Sequence, residues 1–298
     1  MKNFLIGMWH KFDYKQYERD FQKGFYGVEA CMFASIEELK NTLIEKSIED
    51  HFQWGCHYPL IKNHNSTRDP LFLSLDEDER NQAFSDFRKE TEVVSSLGGQ
   101  YILTHFPKPV LINDTFDFAH WRFGNDKEWI YEKDYPIDIL EQNLYDMFQK
   151  LNSISMQYNI PVVLENDAIS EYLYKSPQIE TLLKEFSNIK ICLDVGRLHL
   201  NQCADIKFDG IEFAKKLAPY AYIAHLWNAN PDDNLTGGHL PVSPDQKTKN
   251  GYADIKNYLD IIFAHNENIK ILFEHNSSIL TDYELESCYK WVDSIKNK

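Results

Sequence analysis

Eight short apolar runs alternate with longer amphipathic stretches from one end of the chain to the other, and this rhythm constrains the fold more than any other feature. The strand candidates are 3–8, 27–32, 53–58, 100–105, 161–165, 190–195, 220–226 and 269–274. Helix-like stretches, with apolar residues three and four apart, lie near 14–23, 35–47, 77–97, 137–158, 175–187, 208–217, 252–265 and 281–296. "SLDEDER" gives the third of these an acidic first turn. Thr281, with Glu284 three residues on, reads as a capping box for the last. The strands are continuous apolar runs, as expected for a parallel sheet covered by helices. Eight βα units in series close most simply into a single (β/α)8 TIM barrel, expected here as one α/β domain over 1–298. An open doubly wound sheet is the alternative, but no glycine-rich first turn supports it.

Composition agrees. With 43% hydrophobic and 26% charged residues, the chain can bury a sizeable core. A net charge of −15 repels polyanions and argues against a nucleic-acid partner. The five cysteines are scattered without a CxxC pair, which argues against disulfides or a cysteine zinc knot and fits a reducing cytoplasm. The apolar stretch at the N-terminus is too short for a signal peptide, and no segment approaches a membrane span.

Four of the strand candidates end unusually. "VVLEND" delivers Glu165, "ICLDVG" Asp194, "YIAHLW" His225 and "KILFEH" Glu274. In a closed barrel these ends converge on one axis, and three carboxylates with one imidazole repel unless a divalent cation neutralises them. Singly, each has an ordinary reading as a hydrogen-bonded strand end or a core histidine. The recurrence at four successive ends favours a metal site. His57 ends the third strand and His105 the fourth, each followed within two residues by proline; His239 follows two glycines on a long loop. His10, His120, His199 and His275 lack such a setting. Two connections at the same end of the barrel, 106–136 and 227–251, are long enough to be functional. The first holds Trp121, Phe123, Trp129, Tyr131 and Tyr135, and reads either as a lid over a pocket or as a hydrophobic satellite on the barrel rim.

In this order, "GVEA", the "HYP" and "THFP" strand ends, "VVLEN", "CLDVG", "AHLWNAN…GGHLPV" and "ILFEH" resemble the xylose-isomerase-like barrel superfamily over nearly the whole chain. That superfamily holds sugar isomerases and epimerases, inosose isomerase and dehydratase, and endonuclease IV-type nucleases. The resemblance implies a shared metal site at Glu165, Asp194, His225 and Glu274. In the nucleases, the positions of His57 and His105 join Glu165 around a second metal. A third metal there needs a histidine where this chain has Arg197, and an aspartate where it has Gly237, leaving His239 alone. Arginine cannot ligate a cation, so the trinuclear arrangement is broken.

Two reactions fit. A sugar, sugar phosphate or polyol-derived ketone could be isomerised or epimerised through a metal-stabilised enediolate, with Glu165 and Glu274 as the acid/base pair that the resemblance implies. Arg197 would then contact a substrate hydroxyl or phosphate, or pair with acids near the rim, while His57, His105 and His239 position hydroxyls. The alternative is a two-metal phosphoester hydrolase, supported by His57 and His105. A non-catalytic sugar-binding barrel is the third reading. The carboxylate-rich donor set suits Mn²⁺ first, then Mg²⁺ or Co²⁺, and added histidines tilt it toward Zn²⁺. The expected partner is a small carbohydrate, and a homo-oligomer is compatible with all three readings.

Overall fold

The apolar runs form a closed barrel of eight parallel strands, in the order β1-β10-β9-β8-β7-β4-β3-β2. The structure, a computed structural model, describes residues 1–62, 67–230 and 239–296. The barrel strands are β1 (Phe4–Trp9), β2 (Gly27–Cys31), β3 (Gln53–His57), β4 (Ile102–Phe106), β7 (Val162–Asn166), β8 (Ile189–Asp194), β9 (Ala221–Leu226) and β10 (Lys270–Phe273). Their ends differ from the sequence reading by a residue or two. Among the described residues, no helix is long and apolar enough to cross a membrane.

Capping chemistry starts the helices where the residue types indicate. The Asp76 carboxylate accepts the N–H groups of Asp78 and Glu79, opening the helix Glu77–Ser96. Thr281 and Glu284 bond reciprocally at the head of Asp282–Lys296. The stretch expected at 35–47 runs on to Asp50 through a π turn at Lys40–Ile44. A helix over Val195–Ala204 was not expected. It begins directly where β8 ends, because the Asp194 carboxylate accepts the Arg197 N–H and caps it.

Between β4 and the helix Ile137–Tyr158, the chain forms two three-residue strands, β5 (Val110–Ile112) and β6 (Trp129–Tyr131), paired in parallel. Val110, Ile112, Phe116 and Trp121 pack together on Ala168 and Ala204. These side chains form a cluster of their own, separate from the barrel interior. Lys108, only 4% exposed, ties it to the barrel through Asp167 at 2.8 Å and Glu128 at 3.2 Å.

The barrel interior is plugged by Leu5, Tyr101, Leu103, Val163, Cys192, Ile223 and Leu272, all fully buried. Strand side chains alternate faces, so the next inward position lies two residues on. From Leu103, Val163, Cys192, Ile223 and Leu272 that step reaches His105, Glu165, Asp194, His225 and Glu274. The polar cluster therefore sits directly on the apolar plug.

Candidate metal centre

The four strand-end side chains come together. Ligand atoms of Glu165, Asp194, His225 and Glu274 all lie within 4.8 Å of one another. His225 Nδ1 stands 3.4 Å from Glu165 Oε1 and 3.2 Å from Glu274 Oε2. Register explains the convergence: His225 is paired with Asp194 across β8 and β9, and with Leu272, two residues before Glu274, across β9 and β10.

Electrostatics and hydrogen bonding both favour a positive charge at this point. Glu165 Oε1, Glu274 Oε2 and His225 Nδ1 are buried with no hydrogen-bond partner. Burial, then the charges of Glu165 and Glu274, push the Asp194 carboxyl well above the usual range. At Glu274, burial works the other way from His239 and His225, which hold its pKa down at about 2. A divalent cation would satisfy every unpartnered atom and let all three acids ionise, so these residues fit one. Cys192 also lies close to Glu165 and His225. Burial keeps its thiol protonated, whereas a metal binds the thiolate.

The surrounding groups hold these four in place, and most of them were not evident from the sequence. Glu29 on β2 is fully buried; its Oε2 stands 3.3 Å from His225 Nε2 and accepts the Tyr101 hydroxyl at 2.7 Å. With Nε2–H directed at Glu29, His225 presents the Nδ1 lone pair to the centre. The Tyr101 ring fits beneath because Gly55 has no Cβ; one placed there would lie 2.1 Å from the ring. Trp227 donates its indole N–H to Asp194 Oδ2 at 3.0 Å, and its ring lies where a Cβ on Gly196 would stand. Asn166 brackets the Asp194 backbone with two hydrogen bonds.

His239 reaches the centre from its loop. Its ring stacks on Trp227 at 4.0 Å, and its Nδ1 donates to the Glu274 carbonyl at 2.7 Å. Gly237 lies outside the described residues. Beside Glu274 opens a cavity of about 600 Å³ lined by Trp9, Gln16, Arg19, His239 and Asn276, among others.

His57 and His105 stand on the other side of Glu165, with Nε2 atoms 3.1 and 3.6 Å from its Oε2. Ligand atoms of the three again fall within 4.8 Å of one another. Here, however, guanidinium groups intervene. Arg197 Nη2 is 3.0 Å from His105 Nε2, and Arg68 Nη2 is 3.3 Å from the same atom and 3.5 Å from His57 Nε2. His105 Nδ1 is 2.8 Å from Asp69 Oδ2, which assigns its proton there and its lone pair to Nε2. That lone pair accepts from Arg197, while Arg68 Nη2 lies about equally far from both ring nitrogens. Burial first, with the Arg197 and Arg68 charges, lowers the His105 pKa to about 4 against the pull of Asp69 and Glu165, so the ring is neutral. Arg197 also lies 3.5 Å from both Glu165 and Asp194, and 3.4 Å from Asp167.

A closed parallel barrel that gathers three acids and a histidine at the C-terminal ends of its strands has the arrangement of a TIM barrel with its polar site at that end. The family model for the xylose isomerase-like TIM barrel matches residues 19–296, and the chain belongs to that family. Among solved structures, it is similar to D-psicose 3-epimerase from Clostridium cellulolyticum H10, crystallised with D-tagatose, at 12% identity and a TM-score of 0.63, covering 99% of each chain. It is similar to the 3-keto-D-glucoside 4-epimerase of E. coli, at 12% identity and 0.61, covering 97% of this chain and 98% of that one. The IolI protein with a bound zinc atom matches at 14% identity and 0.60, over 98% of this chain and 97% of that one. A sequence search of curated proteins finds no match.

Proposed function

We propose that the protein is a divalent-metal-dependent isomerase or epimerase of a sugar, sugar phosphate or polyol-derived ketone, with Glu165, Asp194, His225 and Glu274 as the metal ligands. The observation that carries this is the group of buried, unpartnered atoms of Glu165, His225 and Glu274 meeting at one point. The sugar epimerases among similar structures support the reaction class, and the zinc in IolI supports a metal. Mn²⁺ suits the oxygen-rich donor set first, with Mg²⁺, Co²⁺ or Zn²⁺ as alternatives. Five free cysteines and the acidic balance accord with a cytoplasmic enzyme acting on a small carbohydrate.

The cation, when bound, supplies a Lewis acid that polarises a substrate carbonyl. The chain supplies the proton handling. Glu165 and Glu274 flank His225 Nδ1 from two sides, and both are ionised at neutral pH. One carboxylate removes the proton from the carbon next to the carbonyl and becomes a carboxylic acid; the other takes up a proton from solvent and delivers it to carbon, and the first then releases its own proton to solvent. Glu29 fixes the His225 tautomer and Trp227 fixes Asp194, so neither needs to reorganise during turnover. The cavity beside Glu274 falls within the 300–1,000 Å³ typical of small-ligand sites.

The phosphoester hydrolase reading needs a second cation among His57, His105 and Glu165, where Arg68 and Arg197 already donate. The isomerase reading is tested with Glu165→Gln and Glu274→Gln on a panel of ketoses, their phosphates and inososes. Each should lower turnover by roughly 10²–10⁴. Unchanged turnover on any substrate of the wild type would sink it.

A further inference from the structure

We infer that Arg68 and Arg197 stand in place of a second metal ion and form an anion-binding pole, so that the substrate is a sugar carrying a carboxylate or phosphate. The inference deepens the isomerase reading and rests on it only for the nature of the substrate.

Both guanidinium groups crowd the His105 ring: Arg197 Nη2 takes Nε2 at 3.0 Å, while Arg68 Nη2 stands 3.2 Å from Nδ1 and 3.3 Å from Nε2, off the axis of the one lone pair, which cannot satisfy two donors. Their other contacts are poor. Arg68 reaches Asp69 Oδ1 only at 3.7 Å, and Arg197 reaches Glu165, Asp167 and Asp194 at 3.4–3.5 Å. The Nε atoms of both are buried without a hydrogen-bond partner. A guanidinium bound to its proper acceptor makes short, paired bonds near 2.7–2.9 Å. These two are therefore held, but not satisfied.

Nearby acids do not fill the gap. Asp167 is engaged by Lys108 at 2.8 Å, and the Asp69 oxygen near His105 by that ring at 2.8 Å. Glu165, Asp194 and Glu274 face the metal position. The site is consequently polarised, with unpartnered carboxylate oxygens on one side of Glu165 and unpartnered guanidinium donors on the other. An oxyanion bridging Arg68 and Arg197 would make the short bonds both lack, while neighbouring substrate oxygens reach the metal position. Planar, bidentate recognition of carboxylate or phosphate is what arginine does better than a bare cation or a lysine. Arg68 is 37% exposed on its side chain, which leaves an approach for the ligand; Arg197 is backed by the Trp121 ring at 5.9 Å.

Manganese-loaded wild type, Arg68→Met and Arg68→Lys are compared by elemental analysis and by calorimetric titration with inorganic phosphate and with acetate. The wild type should carry one Mn²⁺ per chain and bind at least one of the two anions. Arg68→Met should weaken that binding at least about tenfold with manganese content unchanged, and Arg68→Lys should weaken it less, keeping the charge but losing the fork. The retained manganese reports that the barrel is intact. Stronger phosphate binding identifies a sugar phosphate, and stronger acetate binding a sugar acid. Two Mn²⁺ per wild-type chain, or anion binding indifferent to Arg68, would overturn the inference. Neither readout involves turnover, so this failure is distinct from failure of the glutamate test.

Discussion

The half of the site on β7–β10 and the half on β3 and β4 share Glu165, yet they meet the same problem in opposite ways. On the β9 side, His225 directs Nε2–H to Glu29 and turns its Nδ1 lone pair toward the Glu165 and Glu274 carboxylates, 3.4 and 3.2 Å away. On the β4 side, His105 directs its proton to Asp69, which likewise leaves a lone pair inward, but arginine donors approach it. Each histidine has a carboxylate behind it that fixes its tautomer. What differs is what faces each lone pair: the proposed metal position in the first half, and covalently attached cations in the second. Histidine and glutamate near one another thus do not by themselves define a metal site; what else reaches their lone pairs does.

The contrast breaks most sharply at the metal-facing half. His225→Ala should lower Mn²⁺ affinity more than about 100-fold, since losing a ligand exceeds the 10–100-fold cost of losing its outer partner. Equilibrium dialysis checks this. Retained affinity would place the cation elsewhere.

Lys108→Met tests how firmly the second half is braced. It leaves buried Asp167 with only the Ala168 N–H and the longer Arg197 contact, and breaking a buried pair this way costs about 3–5 kcal/mol. Urea unfolding measures it. A loss below about 1 kcal/mol would mean that Asp167 and Glu128 are adequately solvated without the lysine.

Glu29→Gln sharpens the comparison by softening only the backing of His225. A glutamine there can still accept from Nε2–H but no longer carries charge, so Mn²⁺ affinity should fall about tenfold, the lower end of outer-shell effects. Tyr101→Phe, which removes the hydroxyl holding Glu29, should follow in the same direction by less.

The parts of this centre that were legible in the sequence are those whose signal is local. Glu165, Asp194 and Glu274 stand out because a charge terminates an apolar run, and strand periodicity alone aims them inward. Glu29 carried a comparable signal as an acid inside "GVEA", but its partners Tyr101 and His225 come from other strands, and only barrel closure brings them together. Arg68 had no signal at all. It lies in the polar stretch "KNHNSTRDP", which reads as solvent-facing loop, and its role is set entirely by where that loop returns. The helix after β8 was hidden for a related reason: Asp194 serves at once as strand end and helix cap, so no loop residues separate the two. In the 106–136 connection the aromatics were evident, but the three-residue strands they form are too short for any periodicity to mark.

The smallest effect separates the two halves most directly. His57 donates from Nδ1 to the Tyr58 carbonyl at 2.9 Å, so its Nε2 faces Glu165 Oε2 at 3.1 Å. Burial disfavours charge on the ring, but Cys31 and Glu165 beside it raise its pKa well above the ordinary histidine value. A protonated His57 therefore donates to Glu165 and already provides the positive partner that a second metal would otherwise supply. His57→Ala should change neither the number of Mn²⁺ ions per chain nor their affinity by more than about twofold, because no metal ligand is lost and only the brace on Glu165 Oε2 is weakened. If the variant instead released one of two bound ions, His57 would be a ligand and the distinction between the halves would vanish.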